Sequence, residues 1–386
     1  MWRLFPPSDF RLFCALRQPL PHLRERLFSL WKQVSKKNRN FFQLALDNRT
    51  VSAILKLLSG VLIFVSLFRN LIPYFGIAGI SKRYKEDNFM NAAYLTPAIT
   101  LFNEDGTLDL VSQERLFNNL IDQGVDGILV EGSSSEFFAM PMDQRREMAK
   151  FAIEKVNHRV KLIIGTSHMV ADEIVSFSNY CLDAGADAVM ILPPYYFHFD
   201  ASALLQYYDR LAQQIHGDIY IYNFPDNTGY TIPAETVLAL AKIHPNIVGM
   251  KDTVSGMDHT RELIKVVKSH IPQFEIYSGF DDNFAHNVLA GGDGCIGALS
   301  NVVPEICAAW VKAFRENDLA GIAQGQQIID RLMDLYTVRS PFLPVIKEAC
   351  RLRGIAATSV GTFPMPNATV EDDAKILELL NREGVQ

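Results

Sequence analysis

Lys251 is the first residue in this chain whose type and position suggest chemistry. It follows Ile247-Val248-Gly249-Met250, an apolar run that reads as a buried strand, and lysine is almost never fully buried without a partner or a purpose. Desolvation disfavours an ammonium, which leaves more neutral amine to attack a carbonyl carbon. A plainer reading stands beside this one: the side chain snorkels from the strand end and pairs with Asp252. Tyr222, in Ile-Tyr-Asn-Phe-Pro before a turn, can relay a proton to a substrate hydroxyl or serve as a core tyrosine with its hydroxyl at the rim. Ser133 and Ser134 follow Gly132 in a strand-to-helix loop. Hydroxyls and free amides there can hold a carboxylate or simply cap the next helix. Asp281 and Asp282, after Gly279-Phe280, are candidate hydroxyl binders or ordinary helix-start acids. With Tyr195 and Tyr196, the set holds one lysine, phenols and hydroxyls. It lacks the His/Cys/carboxylate trio of a catalytic metal site.

Positioning these residues takes a repeated scaffold. Short β-rich runs alternate with amphipathic stretches from Met90 onward. The strand candidates are Tyr94–Ile99, Gly127–Glu131, Lys161–Gly165, Ala188–Leu192, Ile219–Asn223, Ile247–Lys251, Phe274–Ser278 and Cys295–Ala298. Most are continuous apolar runs, as expected of strands covered on both faces. Helical patterns end at Gly124 and Gly185, and glycine suits the left-handed position past a helix end. The phrases Gly124-Val-Asp126-Gly127, Gly185-Ala-Asp187-Ala188 and Gly292-Asp293-Gly294 recur before strands, the signature of repeated βα units. Eight strands alternating with eight helices match an α/β fold of the (β/α)₈ TIM-barrel type, in which functional groups gather at the C-terminal strand ends. An open doubly wound sheet is the alternative, but no GxGxxG follows the first strand. After Ala298 the pattern reads as helical to the end. The expected organisation is an extension at 1–89, a barrel at 90–300 and a C-terminal helical bundle at 301–386.

Composition sets outer limits. The 386 residues carry a net charge of −6, but residues 1–89 hold 15 Lys/Arg against 5 Asp/Glu, leaving 22 against 38 for the remainder. So acidic a main body argues against non-specific nucleic-acid binding. The five cysteines, Cys14, Cys181, Cys295, Cys307 and Cys350, are scattered and form no CxxC pair, which fits a reducing compartment and hence a cytoplasmic protein. The longest apolar run in the extension, Leu57 to Phe68, is twelve residues, short of the roughly 20 a spanning helix needs. Residues 51–80 are the only expected membrane contact. The extension reads as a leader, a membrane-associating segment or sequence upstream of a start at Met90; an organellar or membrane location follows from the first two.

Six phrases then add up. GSSSE at Gly132–Glu136, LPPYY at Leu192–Tyr196, YNFPDNTG at Tyr222–Gly229, VGMKDT at Val248–Thr253, SGFDD at Ser278–Asp282 and GGDGCIG at Gly291–Gly297 together resemble the dihydrodipicolinate synthase / N-acetylneuraminate lyase superfamily of class I aldolases. The resemblance implies that Lys251 forms a Schiff base with pyruvate-type 2-oxo acids and that Tyr222 relays protons. It implies that Ser133 and Ser134 bind the carboxylate, and that Ser134 and Tyr196 complete the relay. Tyr196 would come from a neighbouring subunit, which implies a homo-oligomer, usually a tetramer of two tight dimers. Gly279, Asp281, Asp282, Ile296 and Asn227 would line the substrate. A protonated imine is itself the electron sink, so neither metal nor cofactor is expected.

Two departures matter. Ser135 replaces the second glycine of the family's GxxGE loop, and Asn227 stands where the synthases place a carboxylate-binding arginine, an exchange that is not conservative. The phrases YNFPxxTG, GxDD and PFxxVIKEA resemble 2-keto-3-deoxy-sugar-acid aldolases. The expected reaction is therefore cleavage of such an acid to pyruvate and an aldehyde. The alternatives are 4-hydroxy-tetrahydrodipicolinate synthase, a dehydratase or sialic-acid lyase using the same lysine, or a non-catalytic 2-oxo-acid-binding or membrane-tethered barrel.

Overall fold

The computed structural model describes residues 90–385; the extension at 1–89 lies outside the described residues. Eight parallel strands close into a barrel in sequential order: β1 (Ala93–Pro97), β2 (Gly127–Val130), β3 (Lys161–Gly165), β4 (Ala188–Ile191), β5 (Asp218–Asn223), β6 (Ile247–Asp252), β7 (Glu275–Ser278) and β8 (Gly294–Ile296). Around them lie α1 (Leu110–Asp122), α2 (Met142–Val156), α3 (Ala171–Ala184), α4 (Ala201–Ala212), α5 (Ala234–Ile243), α6 (Asp258–Leu263), α7 (Phe284–Ala290) and α8 (Pro304–Arg315). Among the described residues no helix is long and apolar enough to cross a membrane.

The recurring Gly-x-Asp phrases have a specific purpose. Gly124, Gly185 and Gly291 take positive φ past the ends of α1, α3 and α7, a conformation with no Cβ penalty for glycine. The aspartate that follows accepts a strand amide: Asp126 from Tyr94 N at 2.9 Å, Asp187 from Leu162 N at 2.7 Å, and Asp293 from Ile276 N at 2.8 Å. Each acid thereby ties the start of a strand to the strand before it.

Apolar side chains split into two layers. One lies between strands and helices; the other fills the barrel interior with Leu95, Leu129, Ile163, Met190, Tyr220 and Ile296. The N-terminal end of the interior is plugged by a polar cluster. Lys161 Nζ donates to Tyr220 OH at 2.8 Å and to Glu275 Oε2 at 2.8 Å, while Tyr220 and Tyr277 hydroxyls donate to Glu275 Oε2 at 2.6 and 2.7 Å.

α8 follows β8 and completes the eighth βα unit. Beyond it come α9 (Leu319–Leu332), α10 (Leu343–Leu352) and α11 (Val370–Arg382), but the stretch between α10 and α11 is not helical. Gly354 at φ 72° leaves α10; Pro364 and Pro366 then interrupt any helix, until Thr369 opens α11 with a capping box. This strap runs against the barrel's loops. Thr358 Oγ1 donates to Phe102 O at 2.5 Å and Ala357 N to Ser112 Oγ at 3.3 Å.

Candidate active site

β5 and β6 run side by side with Tyr222 opposite Lys251, so alternation along the strands points both inward at the C-terminal end. Both are buried, at 3% and 4% exposure. Lys251 Nζ lies 4.7 Å from the centroid of the Tyr222 ring. The plainer reading of Lys251 fails here. Asp252 faces the helix layer, where Asn223 Nδ2 and Thr260 Oγ1 each donate to it at 2.7 Å and His259 lies at 3.0 Å, and among the described residues no carboxylate pairs with Lys251.

The serine loop forms a 3₁₀ turn at Ser133–Ser135. Ser133 Oγ lies 3.4 Å from Tyr222 OH. The hydroxyl beside the tyrosine belongs to Ser133; Ser134 is buried next to it. Ser135 Oγ donates to Ala98 O at 2.6 Å. Its backbone φ is not positive, so the position does not demand glycine and the serine ties the loop to β1.

Two glutamates in left-handed conformation bracket this loop, Glu131 at φ 62° and Glu136 at φ 59°. Such a backbone costs a non-glycine residue about 1–2 kcal/mol, and each is held by a buried ion pair. Arg145 Nε meets Glu131 at 2.6 Å, and the same guanidinium donates to Ser167 O and Gly165 O at 3.0 and 2.9 Å. Burial outweighs that arginine and pushes the Glu131 carboxyl up to about 7. Lys347 of α10 pairs with Glu136, both at 0% exposure. Its ammonium also lies over the Phe102 ring and donates to Val360 O at 2.9 Å. Thr362 N and Oγ1 donate to the other Glu136 oxygen at 2.6 and 2.8 Å. The C-terminal strap thus braces the loop that carries the serines.

The two acids after β7 part company. Asp281 is fully buried and accepts from Tyr94 OH, from Tyr336 OH at 2.7 Å and from Leu299 N at 3.0 Å. Its carboxylate is thus engaged by three donors of the scaffold. Asp282 keeps one buried oxygen without a partner; burial and then the charge of Asp330 push its carboxyl up. Gly279 packs so closely that a Cβ would sit 1.8 Å from Thr253 Oγ1, which lets the segments leaving β6 and β7 approach. Ile296 is a fully buried interior residue, and Asn227 is exposed on the single helical turn Pro225–Thr228. Tyr196 is remote from this group in character: it is 79% exposed, beside Phe197 at 68%. Among the described residues no cluster of three or more His, Cys, Asp or Glu side chains is arranged to hold a metal.

Residues 90–382 match the model of the dihydrodipicolinate synthetase family. This chain belongs to that family. Among its relatives is YagE of Escherichia coli (strain K12), provisionally named a 2-dehydro-3-deoxy-D-gluconate aldolase. YagE is 35% identical, over 74% of this chain and 93% of its own. YjhH of the same strain, with a provisional 2-dehydro-3-deoxy-D-pentonate aldolase name, is 34% identical over 75% and 97%. A 4-hydroxy-tetrahydrodipicolinate synthase of Kosmotoga olearia is 33% identical over 68% and 88%. The crystal structure of YagE in complex with pyruvate superposes with a TM-score of 0.75 at 33% identity, covering 76% of this chain and 99% of that one.

Sequence reasoning missed the two buried ion pairs. Lys347 did carry a signal, as a cation inside the apolar run Leu343-Pro-Val-Ile-Lys-Glu-Ala-Cys350. Glu131 and Arg145 carried none, since their pairing depends on the turn between them.

Proposed function

We propose that this family member is a carbon–carbon lyase that holds a 2-keto-3-deoxy sugar acid as a Schiff base on Lys251 and cleaves it to pyruvate and an aldehyde. The observation that carries this reading is the buried Lys251 amine, unpaired with any carboxylate among the described residues and set over Tyr222, whose hydroxyl meets Ser133. The neutral amine attacks C2, and loss of water gives the iminium. Tyr222 and Ser133 move the protons of that step, and Tyr222 takes the proton of the C4 hydroxyl. The C3–C4 bond then breaks, its electrons entering the C2–C3 enamine and neutralising the iminium, while C4 departs as the aldehyde. Protonation at C3 and hydrolysis return pyruvate and the free lysine. Ser133, Ser134 and the loop amides hold the carboxylate.

The neutral, exposed Asn227 favours a polyhydroxylated substrate over aspartate semialdehyde, and the names of the two Escherichia coli relatives point the same way. The exposed Tyr196 and Phe197 support a homo-oligomer in which a second copy covers them. Borohydride added with pyruvate is expected to fix a reduced adduct on Lys251, read by peptide mass. Pyruvate release from a panel of 2-keto-3-deoxy acids then identifies the sugar chain. Absence of any adduct on the folded protein overturns the reading, and efficient condensation with aspartate semialdehyde overturns the substrate class.

A further inference from the structure

Behind the Lys251–Tyr222 pair, a closed ring of hydrogen bonds joins the ends of β5 and β6 to the segment leading into α5. Asn223 Nδ2 donates to Asp252 Oδ1 at 2.7 Å, and Ile232 N donates to Asn223 Oδ1 at 3.0 Å. His259 of α6 completes the ring: Nδ1 lies 3.0 and 3.1 Å from the two Asp252 oxygens, and Nε2 lies 2.9 Å from Ile232 O. A backbone carbonyl only accepts, so Nε2 carries a hydrogen. Asp252 already accepts from Asn223 and from Thr260 Oγ1, and a carboxylate only accepts. Nδ1 must then donate as well. An imidazole with hydrogens on both nitrogens is a cation.

We propose that His259 is a positioning residue of the aldolase, a fixed imidazolium that takes up the charge of Asp252 and so leaves the adjacent Lys251 amine without a counterion. The proposal rests on the Schiff-base reading of Lys251. The charged groups facing His259 are Asp252 from β6 and Glu262 from α6 itself, while Asn223 and Ile232 supply neutral dipoles. Burial opposes the cation, yet the Asp252 bond and charge, the Ile232 carbonyl and Glu262 together leave its pKa above the ordinary value. The ring also fixes the β5 end to the β6 end, which keeps Tyr222 opposite Lys251.

Nitrogen-15 NMR of histidine-labelled protein, with the resonances assigned by their loss in His259→Gln, is expected to find both ring nitrogens of His259 protonated at pH 7.5. A neutral ring there overturns the proposal. His259→Gln leaves the Asp252 charge uncompensated beside the lysine, so the pH of half-maximal pyruvate trapping by borohydride should rise by about one unit. The double variant Asp252→Asn/His259→Gln removes both charges and should return that midpoint to the parent's, which loss of structure alone does not predict. An unchanged midpoint in His259→Gln, or no return in the double variant, overturns the role. Failure of the parent to trap pyruvate overturns instead the Schiff-base reading and the consequence for Lys251, while the ring's resonances still decide whether the cation exists.

Discussion

Replacing Lys347 with methionine removes a buried cation while keeping most of its volume. Glu136 is then left buried with its bonds from Thr362 N and Oγ1 but without the ammonium on its other oxygen. Breaking a buried pair from one side costs about 3–5 kcal/mol, and at roughly 2–4 °C per kcal/mol this lowers Tm by roughly 6–20 °C. The loss falls at a strained point. Glu136 sits at φ 59° directly after the serine turn, and without its clamp the backbone relaxes toward ordinary φ and turns Ser133 and Ser134 with it. Pyruvate should therefore bind about tenfold more weakly, equivalent to about 1.4 kcal/mol. Glu136→Gln/Lys347→Met, which removes both charges, should recover at least half of the lost stability, because a neutral buried pair escapes the desolvation penalty. Calorimetric Tm and the pyruvate dependence of borohydride trapping supply the two readouts. A Lys347→Met protein that melts within about 2 °C of the parent and binds pyruvate unchanged would show that the pair neither holds the fold nor shapes the loop.

Tyr222→Phe should lower pyruvate release by about 10²–10⁴-fold while Lys251 remains open to trapping; Ser133→Ala should damage turnover more than Ser134→Ala does, and the reverse order would restore the relay to Ser134. The folded protein holds the Glu131 proton up to about pH 7, against an ordinary value of 4.5. Its contribution to stability is thus full below about pH 4.5 and lost as pH rises toward 7. Glu131→Gln leaves Arg145 buried without its carboxylate and should lower Tm, but the deficit should shrink between pH 5 and 8 as the parent loses that contribution, and parallel curves would refute the shift. Asn227→Arg should weaken action on polyhydroxylated acids and improve that on an aldehyde bearing a carboxylate, measured as the ratio of kcat/KM values.

Much of this was legible because the strands are apolar on both faces, so their runs are continuous and their C-terminal ends mark where chemistry gathers. Lys251 and Tyr222 stood out for that reason. Which serine faces the phenol was not legible, because neighbouring positions in a tight turn differ in direction and not in composition. The same limit separated Asp281 from Asp282: only the fold brings Tyr94, Tyr336 and Leu299 N onto the first. Pro364 and Pro366 carried the signal for the strap between α10 and α11, which the reading of a helical region to the end passed over, while its grip on Glu136 spans more than two hundred positions of chain and leaves no local trace. His259 lies seven residues beyond Asp252, a spacing with no meaning until β6 turns into α6.

The knot of Lys161, Tyr220, Glu275 and Tyr277 fills the barrel interior at the end away from Lys251. On the Schiff-base reading, substrate and products therefore pass by the loops at the C-terminal strand ends. The proposed chemistry then sets an order: the aldehyde, with its bond to C3 broken, leaves past the loops while pyruvate is still tethered, and the three-carbon fragment goes last, once water has cut it free.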